Sequence, residues 1–385
     1  MPEHDDDDSA LCCCEYFNED GERSHLLATL CNCDAIDEGF DRLVTRRTVG
    51  NEHLNRIMDT ISDRLRIPWY GGARKLPLDV TGAVLCVCIT LLLGCFTWTT
   101  VIVTYTFFLP ALLYTIHRFI RRKVVHEGTS TYNIDGSNYI KKYPRSKFYF
   151  AWLVVSLVVL LTIYYTQVIT RLKISPVENL IFMFLACVSC TSLYLVRATS
   201  CAGFESPSKS GQETYGEVIE SGAWRVCGQC ERQVPRQASH CRTCDACYFL
   251  RDHHCLWLDV CVSQVNDRWF VSGLLSGALA LLYGSHLSFT TICHPRLINL
   301  YLTTMLFPHQ CPNAFVDFQS SLTVSGACYG LLLATLVSVA LTQQLVCIAC
   351  GVRLREYRQR RHIPGGGSPW SPKYILKNCL NFWWR

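Results

Sequence analysis

The chain alternates between long uncharged apolar runs and polar stretches that carry most of its charge. The runs occupy residues 80–117, 148–170, 179–196, 269–295 and 318–352. A membrane-spanning helix needs about 20 apolar residues, so the second, third and fourth runs each predict one span. The run 318–352 predicts one span with polar flanks, and 80–117 is long enough for one over-long helix or a tight hairpin of two. In the head, residues 1–79, the positions Leu54, Ile57, Met58, Ile61 and Leu65 recur at helical spacing among Arg56, Asp59, Asp63, Arg64 and Arg66. That spacing predicts an amphipathic helix, packed on a cytosolic domain or lying at the headgroup level with Trp69.

Charge decides between the two forms of the first run. Lys and Arg number nine in 1–79, eight in 118–147, two in 171–178, eight in 197–268, one in 296–317 and eight in 353–385. A hairpin puts 33 of the 36 basic residues on one side, whereas a single helix leaves 24 against 12. Basic loops stay cytosolic, so six spans are expected, with both termini and the stretch 197–268 in the cytosol. The net charge of +5 is then a topology signal. The basic loops read as solvated, with no nucleic-acid partner; loop 118–147 reads as topogenic or as a contact for anionic lipid. A composition 50% hydrophobic and only 17% charged excludes an ordinary soluble domain. The opening Asp5–Asp8, without an early apolar run, predicts no cleavable signal peptide; the first apolar helix would direct insertion.

The expected organisation is a cytosolic head (1–79), a transmembrane hairpin (80–117), a basic loop (118–147), helices 3 and 4 (148–196), a cytosolic domain (197–268), helices 5 and 6 with a lumenal loop 296–317 (269–352), and a basic tail (353–385). Within it, 198–221 is a Ser/Gly/Glu linker, and the tail holds the flexible segment 357–367.

Twenty-four cysteines would suggest disulfides in a small secreted chain. Here most map to cytosolic or intramembrane positions, where reduced thiols and metal ligands are expected. Cys293 and Cys311 alone lie near the lumenal side, where a bridge between them is one option. Cys12-Cys13-Cys14 and the Cys31/Cys33 pair leave open a metal site, acylation or plain reduced thiols. Seven cysteines fall within the 35 residues from Cys227 to Cys261, in the form C-x2-C-x9-H-C-x2-C-x2-C-x4-D-H-H-C-x5-C. The donors are Cys227, Cys230, Cys241, Cys244, Cys247, Cys255 and Cys261, with His240, His253 and His254. Structural zinc takes four donors, so two full sites use eight and leave one cysteine and one histidine. C-x2-C pairs such as Cys227/Cys230 and Cys244/Cys247 bring two thiolates to one metal from a tight turn. The spacing is not that of a cross-braced double-zinc ring, and no βαβ context supports a redox pair.

Adjacent side chains at Asp252-His253-His254-Cys255 cannot all point the same way. If one histidine faces a metal, the other can face the thiol, take its proton and hold the thiolate. A carboxylate such as Asp252 would fix that ring's tautomer. The apolar run starting at Trp269 follows within eight residues of Cys261, which holds the thiol near the membrane surface and suits a substrate that is half lipid.

This block resembles the cysteine-rich domain of the DHHC family of protein S-acyltransferases (palmitoyltransferases). The likeness is close over residues 227–270 and extends to the placement of the domain between the fourth and fifth spans; the head further resembles that of a six-span member. The resemblance implies an all-α polytopic membrane protein of six transmembrane helices with a small cytosolic zinc-binding domain. It implies one zinc on Cys227, Cys230, His240 and Cys247 and a second on Cys241, Cys244, His254 and Cys261, both structural. Cys255 becomes the acyl-accepting nucleophile, His253 its base and Asp252 the orienting acid. The donor would be acyl-CoA, palmitoyl-CoA above all, and the acceptors cysteines on cytosolic faces of membrane-associated proteins. The setting would be the Golgi, endoplasmic reticulum or plasma membrane. Trp257, read from its place beside Cys255, would stack against the acyl chain or wall it. The chain departs from the family at Leu256 (usually Pro), Val260 (Asn), Ser263 (Gly) and Val234 (a basic residue). The family's Thr-Thr-x-Glu appears at best as Arg353-Leu354-Arg355-Glu356, and its C-terminal Asn-x3-Phe as Asn378 and Phe382. The alternative is a catalytically weak membrane scaffold whose zinc domain recruits partners.

Overall fold

In a computed structural model of the chain, the described residues are 74–128, 146–171, 174–200, 224–300, 303–355 and 371–384, with two- and three-residue pieces elsewhere. The apolar stripe 54–65, Cys12–Cys14, Cys31 and Cys33, and the segment 357–367 lie outside them. Residues 1–85 and 86–385 form separate units. In the first, short antiparallel pairs join Glu15–Phe17 to Arg23–His25 and Arg66–Ile67 to Arg74–Lys75.

The fold is mostly helical. The run 80–117 breaks into two helices, α1 (Leu78–Leu93) and α2 (Trp98–Arg118). The break is made by Thr97, whose hydroxyl accepts a hydrogen bond from the Thr100 N–H at 3.2 Å and caps α2. The remaining long helices are α3 (Phe148–Arg171), α4 (Pro176–Ser200), α5 (Asp267–Ile292) and α6 (Phe318–Ala349), with α7 (Pro372–Trp383) in the tail. Among the described residues five helices, α2 to α6, are long and apolar enough to cross a membrane. The 16 residues of α1 span about 24 Å, short of a hydrocarbon core of about 30 Å. Five spans by length thus stand against the six expected from charge.

Without water to drive apolar surfaces together, membrane helices associate through close packing and interhelical hydrogen bonds. Both are visible. Along α5, Gly277 and Gly284 face Ser189 and Phe182 of α4, so close that an added Cβ would lie 2.8 and 2.6 Å from them. Where α3 meets α6, the Tyr329 hydroxyl takes the Trp152 indole N–H at 2.7 Å and meets Ser156 Oγ at 2.7 Å. One turn away, Ser325 of α6 meets the Tyr105 hydroxyl of α2 at 2.8 Å and donates to the Leu91 carbonyl of α1 at 2.8 Å. These bonds satisfy polar groups that would be costly in hydrocarbon. Both α2 and α3 contain a π turn, Thr104–Phe108 and Tyr164–Val168.

Beyond α5, the strands His294–Leu300 and Thr303–Gln310 form a hairpin, and the disulfide Cys293–Cys311 closes its base. That bridge takes up the one pair the sequence left near the lumenal side. Between α4 and α5 lie three small antiparallel hairpins, β1/β2 (Trp224–Val226, Gln233–Pro235), β3/β4 (Ala238–Cys241, Ala246–Phe249) and β5/β6 (Arg251–Cys255, Val260–Ser263). An all-α expectation misses them. Their strands are three to five residues long and turn on non-glycine residues of positive φ, a costly geometry that local bonds must compensate.

Candidate active site and metal centres

The first turn is Cys227-Gly-Gln-Cys230-Glu231, where the Glu231 N–H donates to the Cys227 carbonyl at 2.9 Å and Glu231 takes φ 53°. The second, Cys241-Arg-Thr-Cys244-Asp245, repeats it, with the Asp245 N–H to the Cys241 carbonyl at 2.8 Å and φ 54°. Each turn aims two sulfurs at one point. The hairpin β3/β4 places His240 opposite Cys247, and β5/β6 places His254 opposite Cys261. Two four-donor groups result, Cys227/Cys230/His240/Cys247 and Cys241/Cys244/His254/Cys261, with ligand atoms all within 4.8 Å of one another. Each group draws on two hairpins, the first tying β1/β2 to β3/β4 and the second β3/β4 to β5/β6.

The donor set and its dimensions fit zinc. A Zn–S bond of about 2.3 Å in a tetrahedron gives donor–donor edges of about 3.8 Å. The observed edges include Cys230 Sγ to Cys247 Sγ at 3.6 Å, Cys247 Sγ to His240 Nδ1 at 3.7 Å and Cys244 Sγ to Cys261 Sγ at 3.7 Å. His254 Nδ1 lies 3.3 Å from Cys244 Sγ and 3.8 Å from Cys261 Sγ. Each histidine points Nδ1 at the sulfurs and Nε2 toward an aspartate, Asp245 at 3.6 Å and Asp259 at 3.9 Å. At those separations each carboxylate faces its ring as a charge and not as a hydrogen-bond partner.

Cys255 belongs to neither group. Its neighbour His253 turns to the opposite side of the strand from His254, and the Cys255 sulfur lies near enough to its ring to raise its pKa. His253 Nδ1 meets Asp252 Oδ2 at 3.0 Å. Burial alone would lower the His253 pKa, but the Asp252 carboxylate and the Cys255 sulfur outweigh it and raise it to about 9. A ring that keeps its proton to that pH is largely protonated at neutral pH. Burial would likewise raise Asp252, yet its bonds to His253, Gln344 and the Leu354 N–H hold it below the ordinary carboxyl value. Phe270 of α5 stands edge-on to the His253 ring, centroids 5.4 Å apart.

The thiol itself is buried at the helix ends. Cys255 clusters with Val196, Leu258, Val260, Val262 and Phe270, and Leu153, Leu193, Trp257 and Leu274 pack against them. Those side chains come from α3, α4 and α5 as well as from the hairpin. Val260, one of the departures from the family, is part of this apolar wall. Trp257 stands edge-on to Tyr149 of α3 at 5.2 Å, and Tyr149 meets His117 of α2 at 3.0 Å. Asn266, fully buried, fastens the domain to the helices: its amide donates to the Val196 and Cys261 carbonyls at 3.2 and 3.1 Å. Its Oδ1 accepts the Ser263 N–H at 2.8 Å. Arg197 donates to the Leu258 carbonyl at 2.6 Å, and Ser200 to that of Cys261 at 2.9 Å.

Sequence reasoning missed two partners of Asp252. Gln344 Nε2 donates to its Oδ2 at 3.0 Å, and the Leu354 N–H donates to its Oδ1 at 2.6 Å. The second is a backbone donor and needs no particular side chain at position 354. The available signal for the first was an amide inside an otherwise apolar helix, a place where polar groups are usually functional.

Fold and site together define a multi-pass membrane protein whose Cys/His-rich domain holds a thiol–imidazole–carboxylate series against the ends of its helices. Residues 220–361 match the family model described as DHHC palmitoyltransferase. The chain is 27% identical over 397 residues to "Palmitoyltransferase ZDHHC23" of Homo sapiens, covering 90% of this chain and 88% of that protein. The Rattus norvegicus protein of that name is 28% identical over 395 residues, covering 90% and 84%. "Palmitoyltransferase ERF2" of Candida glabrata is 45% identical over 56 residues, 14% of this chain and 17% of that protein. The chain thus carries a DHHC palmitoyltransferase domain over residues 220–361 and is similar along most of its length to proteins named palmitoyltransferases.

Proposed function

We propose that this protein transfers a long-chain fatty acyl group, palmitoyl in the first instance, from acyl-CoA to cysteines of membrane-associated proteins through an acyl-Cys255 intermediate. The observation that carries the reading is the Cys255 environment. The one cysteine of the block outside both metal groups shares the His253 ring and faces a wall of apolar helix residues.

The Cys255 sulfur attacks the thioester carbon of acyl-CoA, with its proton on His253. The new C–S bond forms as the bond to the CoA sulfur breaks, and His253 gives its proton to the departing CoA thiol. In the second half the acceptor's thiol loses its proton to His253 and attacks the acyl-Cys255 carbonyl; Cys255 leaves as thiolate and recovers the proton. One thioester replaces another in each half, so no further energy source is needed. Asp252 keeps the imidazole in one tautomer and stabilises its cationic form. The acyl chain is received among Leu153, Leu193, Leu274 and Trp257, and CoA phosphates meet basic residues at the membrane surface. Zinc in each closed four-donor shell would supply folding energy, held by the eight residues named above. The cytosolic face is that of the domain and both termini, supported by the 33 basic residues on that side.

The test is to incubate purified protein with labelled palmitoyl-CoA. A label that hydroxylamine removes is expected on the wild type and not on Cys255→Ser. An unlabelled wild type would overturn the reading and favour the scaffold.

A further inference from the structure

The acid of the site is held from the membrane, not from its own domain. Asp252 sits on β5, but two of its three hydrogen-bond donors come from α6 and the turn that follows it. Oδ2 is shared by His253 Nδ1 at 3.0 Å and Gln344 Nε2 at 3.0 Å, while Oδ1 takes the Leu354 N–H at 2.6 Å. Asp252 and Gln344 are both buried, 7% and 6% exposed, so neither contact is a chance surface encounter.

The local structure explains how both donors arrive together. Helix α6 ends at a cap in which the Val352 N–H donates to the Cys347 carbonyl and the Gly351 N–H to the Ile348 carbonyl, each at 3.0 Å. Gly351 takes φ +64°, and an added Cβ would lie 2.9 Å from the Asn378 amide nitrogen. The cap reverses the chain and returns Leu354 to the level of Gln344, one and a half turns before the helix end. One carboxylate is thereby gripped at both oxygens by a single rigid element.

We infer that Gln344 is a positioning residue for acyl transfer, which fixes the Asp252 carboxylate so that Oδ2 faces His253. This rests on the reading of Cys255, His253 and Asp252 as the reacting series. The residue type fits the duty. A neutral amide donor fills one lone pair of Oδ2 without neutralising the carboxylate, whereas a lysine there would compete with His253 for its charge and a glutamate would repel it. The polar cavity of about 340 Å³ beside Asp252 and Gln344 has room for water, which can replace a lost donor but not its direction.

The experiment measures single-turnover formation of acyl-Cys255 from palmitoyl-CoA in wild type, Gln344→Leu, Asp252→Asn and the double variant, with zinc content in each. Gln344→Leu should slow the rate at saturation about tenfold, the scale of one hydrogen bond to a charged group. Its half-saturating palmitoyl-CoA concentration and zinc content should stay at wild-type values. Against Asp252→Asn the same change should cost less than twofold, because its effect runs through the carboxylate. Gln343→Leu, an exposed glutamine in the same turn, should match the wild type. Should Gln344→Leu lose zinc, Gln344→Glu, which keeps the size and polarity, decides the matter, with at least the same loss of rate expected. A wild-type rate in a folded Gln344 variant, a change confined to half-saturation, or an equal loss in the Asp252→Asn background would overturn the inference. Absence of hydroxylamine-labile label on wild-type Cys255 would instead overturn the parent reading.

Discussion

His240-Cys241-Arg242-Thr243-Cys244-Asp245 and His254-Cys255-Leu256-Trp257-Leu258-Asp259 share one frame. Each has a histidine and a cysteine together, then an aspartate five positions after the histidine, in the left-handed region at φ 54° and 53°. In each, Nδ1 of the histidine faces sulfurs while Nε2 faces that aspartate. They part at the fifth position. Cys244 gives the first turn a second sulfur three residues after Cys241, so both enter one metal group. Leu258 stands there in the second turn, and it is buried beside Cys255 in the apolar wall. A thiol with a chelating partner can join a closed four-donor shell; under the function proposed here, the same thiol beside leucine and tryptophan, with His253 at hand, is left for chemistry. The neighbours of a cysteine, more than the cysteine, set its role.

The largest effect should come from the first turn. Cys244→Ala removes a donor from a group that joins two hairpins, and structural zinc contributes on the order of 10 kcal/mol to folding. Zinc per chain, measured on purified protein, should fall from about two, and the domain should become sensitive to proteolysis. Full zinc with a normal fold would break the comparison at its root. In the second turn, Cys255→Ser should leave zinc at the wild-type level while abolishing the acyl-enzyme; loss of zinc would mean that Cys255 is a ligand after all.

Next in size is His253→Ala, which removes the proton carrier and should slow acyl loading by about 10²–10⁴-fold with zinc retained. Asp252→Ala acts one bond further from sulfur and should slow loading by roughly 10- to 100-fold, read in the same single-turnover assay. The smallest change tests what the two turns have in common. Asp259→Asn and Asp245→Asn should each speed zinc loss to a chelator, in line with the roughly 10–100-fold affinity effects of groups behind a metal ligand. A release rate unchanged in both would show that the shared aspartates serve the turns alone.

Much of the site was legible in the chain. Ten donors in 35 residues, against the four that a zinc shell takes, already left one cysteine and one histidine over, and the Asp-His-His-Cys run put a carboxylate beside them. That was possible because ligand turns and alternating strand faces are local, set by a few residues of spacing. The break in the run 80–117 was legible through charge, although α1 turned out shorter than a full span. Gln344 and the Leu354 N–H were not legible, since they reach Asp252 across 92 and 102 residues. Nor were the π turns, the Tyr329–Trp152–Ser156 bonds or the grip of Asn266 on Val196, all of which arise where helices meet.

The sequence by itself determined which residues can bind metal, how many such groups there are and which stretches are apolar enough for a bilayer. These follow from side-chain chemistry and short-range geometry, which no distant contact can rewrite. Only the tertiary structure decided what surrounds the free thiol and what steadies its acid. A hydrogen bond to Asp252 requires a donor within about 3 Å, and that proximity is fixed by how α6 packs and where its cap turns the chain back. Helix packing is a sum of many weak contacts over the whole bundle, so its result at one carboxylate appears only once the helices are in place.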